Sequence, residues 1–189
     1  MKTSYLVLVS AGALALASCG KKTTVDNTTM TTTNTEMTTA STSPVVTPAA
    51  GQTFANTAAA SDAFEIATSK MALNSSSSTA IKKYAQKMID AHTESTAKLT
   101  MAVSGLTPPI APDATLTAAQ QQTVDGLKGK TGAEFNRAYI DAQTTGHQQT
   151  LDALKAYAAS GDLPALKTFA TNLVPTVTAH LNMAKGLKA

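Results

Sequence analysis

Thr131–Ser160, TGAEFNRAYIDAQTTGHQQTLDALKAYAAS, is the stretch whose pattern decides the fold. Phe135, Tyr139, Ala142, Leu151, Leu154 and Ala158 recur at three- and four-residue steps, the spacing that lines one side of an α-helix. His147 falls inside that apolar arc. Thr131 followed by Glu134 has the form of a capping box, in which hydroxyl and carboxylate each satisfy a free backbone N–H, so a marked helix start is expected there. Ser160-Gly161 predicts the end, because glycine tolerates the left-handed conformation that closes a helix. Asp162 is placed to cap the helix that follows.

Working outward, the same periodicity recurs on both sides. After Asp162, the residues Leu166, Phe169, Ala170, Leu173, Val177, His180, Leu181, Ala184 and Leu187 form one line. Pro175 lies within it and is expected to bend the helix, since it removes one backbone hydrogen bond and frees the Thr171 carbonyl. Upstream, Ile81, Ala85, Met88, His92, Leu99 and Val103 stripe a helix expected over Thr79 to Ser104, about 39 Å long. Lys82, Lys83, Lys87 and Lys98 lie mostly away from that stripe. Pro108, Pro109 and Pro112 terminate it. A first helix is expected from near Thr53 to Leu73, with Phe54, Ala58, Glu65 and Ala72 aligned, and Asn74 with Ser75 to Ser78 breaks it. Between the two halves, Thr117 with Gln120 forms a second capping-box pattern, opening a short helix to about Leu127. Gly126, Gly129 and Gly132 follow. Four long helices, two short hairpins and one long central crossing that carries a short extra helix describe an all-α, ferritin-like four-helix bundle.

Composition agrees with close-packed helices. Of 189 residues, 43% are hydrophobic but only 4% aromatic, with no tryptophan, so the core is built from Ala, Leu, Met and Val. The net charge of +3 is spread thinly. No run of Lys/Arg forms a stripe of the kind that neutralises phosphates, which argues against nucleic acid as a partner.

The N-terminal residues carry a different message. Lys2 precedes an apolar run from Tyr5 to Ala17, too short to span a bilayer but of the length of a signal-peptide core. Leu16-Ala17-Ser18-Cys19 then resembles the lipobox of bacterial lipoproteins. That resemblance implies removal of residues 1–18 and attachment of diacylglycerol, with fatty acyl chains such as palmitate, to Cys19. With one cysteine in the chain an intrachain disulfide is excluded. Acyl chains hold a protein at a membrane surface without a spanning helix. Gly20, rather than aspartate, follows the cysteine, and by resemblance to enterobacterial sorting this favours the outer membrane, facing the periplasm. Residues 19–51 are rich in Thr and Ser with few large apolar side chains, the composition of a solvated linker reaching on the order of 30 Å. The bundle domain is expected over residues 52–189.

Four blocks carry a resemblance to a family. Phe64-Glu65-Ile66-Ala67, Tyr84 through Thr93, Gly132 through Tyr139 with His147, and Val174 through Leu181 resemble bacterial domain-of-unknown-function family 4142. This similarity covers Thr53 to Lys188. It implies an exported, ferritin-like helical protein of the kind often labelled an outer-membrane protein, and it implies no reaction.

The three histidines of the chain, His92, His147 and His180, each fall on the inward stripe of a different long helix. With a stripe covering about 0.4 of the circumference, chance alone does this only about 6% of the time. Together with Glu65 they make a three-histidine, one-carboxylate set suited to Zn, Mn or Fe. Two considerations oppose that set. Counted from the hairpin ends, His92 and His147 lie about 20 and 18 Å along their helices, but Glu65 about 12 and His180 about 27 Å, so ideal helices do not bring all four to one ion. The ExxH signature of di-iron bundles is also missing, with Ile89, Thr144 and Val177 three residues before the histidines. A second reading makes them core histidines bonded to Asp90, Thr93, Gln143 or Thr178. Met71, Met88, Met101 and Met183 are scattered at core spacing rather than clustered as a copper box. No glycine-rich phosphate loop or nucleophile elbow is present, and no catalytic residue is assigned. The sequence thus supports first a non-enzymatic envelope lipoprotein, displaying the bundle for binding or envelope maintenance. The alternative is a metal-binding or oxidoreductase-like bundle that uses the inward histidines.

Overall fold

A computed structural model describes residues 49–189. The signal-peptide and lipid-anchor assignments, Cys19 included, lie outside those residues, as does most of the linker. Among the described residues there are five helices and no strand: α1 Ala49–Ser75, α2 Thr79–Val103, α3 Ala118–Leu127, α4 Gly132–Ser160 and α5 Pro164–Gly186. None of them is long and apolar enough to cross a membrane. The first helix begins three residues before the expected domain boundary. Gly51 is buried there, where a Cβ would meet Leu163 Cδ1 at 2.5 Å and Ile110 Cδ1 at 3.1 Å. Its lack of a side chain lets the start of α1 pack against the loop before α5.

The long helices pair as two hairpins, α1 with α2 and α4 with α5, which face each other through α1 on α4 and α2 on α5. The two hairpins close opposite ends of the bundle. At one end the start of α1 (Phe54, Ala55) packs with the end of α2 (Leu99, Val103) and with Leu151, Leu154, Leu166 and Phe169 around the α4–α5 turn. Phe54 and Tyr157 stack there with ring centroids 4.0 Å apart. At the other end Ala72, Ile81, Tyr84 and Met88, around the α1–α2 turn, meet Phe135 and Tyr139 from the start of α4 and Ala184 from the end of α5. Each large apolar side chain buried in these clusters contributes about 1.5–3 kcal/mol. The segment from Ser104 to Thr131 must therefore travel the length of the bundle, and α3 lies along it against α1 and α4. This is the ferritin-like crossover, and it makes α2 and α4 run parallel.

Helix boundaries follow the sequence pattern, but several caps do not. Thr117 and Gln120 make the expected reciprocal capping box on α3. Thr131 occupies the N-cap position of α4 without any side-chain cap hydrogen bond. Glu134 does not complete a capping box with it; its carboxylate instead pairs with Lys130. A cation four residues upstream has outcompeted the backbone N–H. Gly129 and Gly132, with φ of 76° and 56°, turn the chain into α4, a left-handed geometry in which glycine is unstrained. Gly161 ends α4 with φ −59°, not in the left-handed region. What it accommodates is the Tyr157 ring, whose Cε1 lies 2.5 Å from where a Cβ would stand. Asp162 accepts the Tyr157 hydroxyl at 2.6 Å and does not cap α5, whose N-cap is Leu163 followed by Pro164. The α5 assignment runs unbroken through Pro175.

Candidate metal centre

Between the two apolar clusters lies a belt of buried polar side chains: Asp62, Glu65, Thr68 and Ser69 on α1, His92 on α2, Gln143 and His147 on α4, and His180 on α5. Burying polar groups is costly unless each finds a partner, so the belt is the least expected feature of the core. At its centre the three imidazoles form a nearly equilateral triangle. Ring centroids are 5.5 Å apart for His92 and His147, 5.8 Å for His92 and His180, and 5.6 Å for His147 and His180. One nitrogen from each lies within 4.8 Å of the other two. All are buried, with exposures of 4%, 1% and 3%.

The heights along the bundle explain why they meet. Because the hairpins close opposite ends, distances from the two turns run in opposite senses. Measured from the α4–α5 end alone, His92, His147, Glu65 and His180 lie about 17, 20, 24 and 24 Å along ideal helices. The four share one level to within a turn or so. The larger part of the expected mismatch, Glu65 against His180, came from comparing heights taken from different ends.

Hydrogen bonds orient the ligands. His92 Nδ1 is 2.8 Å from Asp62 Oδ1, and Thr96 Oγ1 donates to Asp62 Oδ2 at 3.1 Å. His147 Nδ1 donates to the Gln143 carbonyl at 2.9 Å. With a carboxylate and a carbonyl as acceptors, both Nδ1 atoms carry hydrogen, so Nε2 is the ring atom each has left to offer a metal. Those Nε2 atoms, and Nδ1 of His180, are buried without any hydrogen-bond partner. A ligand imidazole fixed through its other nitrogen by a carboxylate or carbonyl is the usual outer-shell arrangement of metal sites.

Glu65 adjoins the triangle. Its Oε1 is 3.3 Å from His147 Nδ1, it is 1% exposed, and neither carboxylate oxygen has a hydrogen-bond partner. Burial pushes it up to about 7, a rise held back by the charge of His92 and by Gln143. Burial, then the charge of His92, lowers His147 to about 3 and His180 to about 4. Burial also pulls His92 down, but the hydrogen bond it donates to Asp62 and the Glu65 charge outweigh it and the net shift is upward. His147 and His180 are therefore neutral at physiological pH, the form that binds metal. Its neutrality also means that the Glu65–His147 contact is not an ion pair.

The residues fit a first-row transition ion. Metal–nitrogen bonds of about 2.0–2.1 Å at a tetrahedral angle put donor atoms about 3.4 Å apart, so each imidazole has less than about 1 Å to move. Glu65 is not among the donor atoms that lie within 4.8 Å of one another; its Oε1 faces His147 Nδ1, the nitrogen turned to Gln143.

Two contributors to the site escaped the sequence reading. Asp62 stands one turn before Glu65 on the same face of α1, a spacing that was legible but masked by the surrounding alanines. Gly146 is the other: a Cβ there would lie 2.8 Å from Glu65 Oε1 and 3.2 Å from Phe64 Cε1, so glycine makes room for the carboxylate. Conversely, Asp90 accepts from Gln86 on the exposed face, and Thr93 and Thr178 bond the carbonyls of Ile89 and Val174 in their own helices. None of those three partners a histidine; of the expected set only Gln143 does, through its backbone.

Comparison with known proteins bears on fold and family. No curated protein matches the chain. Among solved structures, CopM in the Cu(II)-bound form is similar over 72% of this chain and 93% of that one, with a TM-score of 0.59 and 15% identity, a likeness of fold alone. The family described as Domain of unknown function (DUF4142) matches residues 34–187, and the chain belongs to that family.

Proposed function

We propose that this protein is a metal-binding module of the bacterial envelope. In this reading Cys19 carries the lipid that holds it at the membrane, with the bundle facing the periplasm, and His92, His147 and His180 bind one transition-metal ion with Glu65 as a further donor. The observation that carries the proposal is three buried histidines that each offer a nitrogen within 4.8 Å of the others and each keep one nitrogen without a hydrogen-bond partner. Three core histidines kept only for packing would be expected to satisfy those atoms, since an unpaired buried polar group costs about 1–3 kcal/mol. An imidazole-rich set suits Cu(II) and Zn(II) better than Mn(II), and Cu(II) stands highest in the affinity order. The similar fold of CopM, solved with Cu(II), supports testing copper first. Burial of the whole set favours holding an ion over turning over a substrate.

The test is elemental mass spectrometry of the untagged protein after incubation with Cu, Zn, Fe or Mn and removal of excess. Near-stoichiometric metal that disappears in the His92→Ala, His147→Ala variant is expected. Equal metal content in that variant and the wild type refutes the site.

A further inference from the structure

The buried imidazoles need a way in, and the molecule offers two cavities next to the belt. The smaller, about 30 Å³, is lined by His92, His180 and Asp62, and otherwise by residues such as Leu154, Leu173 and Thr176. It holds about one water, less than a hydrated cation needs. The Asp62 carboxylate that lines it is already held by His92 and Thr96. The larger, about 540 Å³, opens between α1, α3 and α4. No lysine or arginine lines it, its one charged lining residue is the exposed Asp141, and its floor includes Phe64 and Gly146. Glu65 lies directly beneath that floor, because the vacant Cβ position of Gly146 is 2.8 Å from Glu65 Oε1. The same carboxylate contacts His147 on its other side, at 3.3 Å. A mid-helix glycine costs about 1 kcal/mol relative to alanine, so its presence at this one spot calls for a reason.

We propose that a hydrated divalent transition-metal cation reaches the imidazoles from the α1–α3–α4 cavity, passing over Gly146 by way of the Glu65 carboxylate. This rests on the metal-binding reading above and adds a direction to it. Asp141 draws the cation to the mouth, oxygen-bearing walls share in its hydration, and Glu65, beside His147 and Gln143, is the first buried carboxylate it meets. The Phe64 ring beside Gly146 is the barrier, and its rotation with that of Glu65 opens the passage. A cavity of similar volume on the α2 face is lined by Lys83 and Lys87 as well as Asp90 and Glu94, and none of the three histidines lines it.

Thr145 lines this cavity and is exposed, so Thr145→Trp narrows the route without touching a ligand. Thr176→Trp does the same to the small cavity on the other side. Cu(II) loading of the metal-free full-length proteins is followed by stopped-flow absorbance, and affinity by competition with a chelator. For Thr145→Trp the loading rate is expected to fall at least about tenfold while equilibrium affinity changes less than about threefold, the signature of a blocked path rather than a damaged site. Thr176→Trp is expected to load at the wild-type rate. Wild-type loading by Thr145→Trp, or slowing confined to Thr176→Trp, overturns the route while leaving the metal site standing. A wild-type protein that retains no copper overturns both.

Discussion

Replacing His92 separates a structural from a ligating role most cleanly. Its Nδ1 contacts Asp62 at 2.8 Å, and Asp62 is only 4% exposed. His92→Ala leaves that carboxylate with Thr96 alone, and breaking a buried charged pair from one side costs about 3–5 kcal/mol. At about 3 °C per kcal/mol for a domain of this size, the metal-free Tm falls by roughly 10–15 °C. Replacing Asp62 as well removes the stranded charge, so the double variant Asp62→Ala, His92→Ala is expected to be more stable than His92→Ala alone. Metal adds a second, independent signal. At a free concentration of 100 times Kd it stabilises the wild type by about 2.7 kcal/mol, or roughly 8 °C. If loss of one imidazole weakens binding about 100-fold, the same concentration stabilises the variant by only about 0.4 kcal/mol, near 1 °C. Calorimetry of both proteins with chelator and with Cu(II) measures all of these differences. A His92→Ala protein that keeps the full copper-dependent increment in Tm refutes the assignment of His92 as a ligand, whatever its metal-free stability.

Glu65 gives a pH test on the metal-free protein. Its folded-state value near 7 lies above the ordinary 4.5, so the folded state binds the extra proton and this contribution to stability is lost as pH rises from about 4.5 to 7. Urea melts in chelator should therefore show Glu65→Gln gaining stability on the wild type across that window; a constant offset would contradict it. His147 and His180 act in the opposite sense, because their depressed values make stability fall as pH drops from about 6.5 toward 3–4. Gly146→Ala should weaken copper affinity at least about tenfold by displacing Glu65, while overpacking of about 1–3 kcal/mol is offset by about 1 kcal/mol of helix propensity. Titration against a chelator and a thermal melt measure the two effects separately. Thr117→Ala is expected to lose about 1 kcal/mol and Thr131→Ala only a few tenths, since only Thr117 makes a side-chain cap bond. Equal losses in urea unfolding would restore the capping role of Thr131.

The period of the apolar residues determined the helices and their inward faces, because a side chain's position around a helix depends only on local geometry. Hence His92, His147 and His180 were placed on inner stripes from sequence, and the proline-rich break after α2 marked the long crossing. The alanine-rich α1 was the weak point, since alanine suits either face and hid Asp62 and Thr68, the inward polar neighbours of Glu65. Caps were also poorly legible. Whether Thr131, Glu134 or Asp162 serves the backbone depends on competitors such as Lys130 and Tyr157, whose proximity a spacing pattern does not weigh. What tertiary structure alone decided is the meeting of the histidines. Their level in the bundle follows from the two hairpins closing opposite ends, a property of how α4 is delivered after the crossing and not of any single helix. The room for Glu65 beside them likewise depends on α1 lying against Gly146, a contact between residues 81 positions apart in the chain.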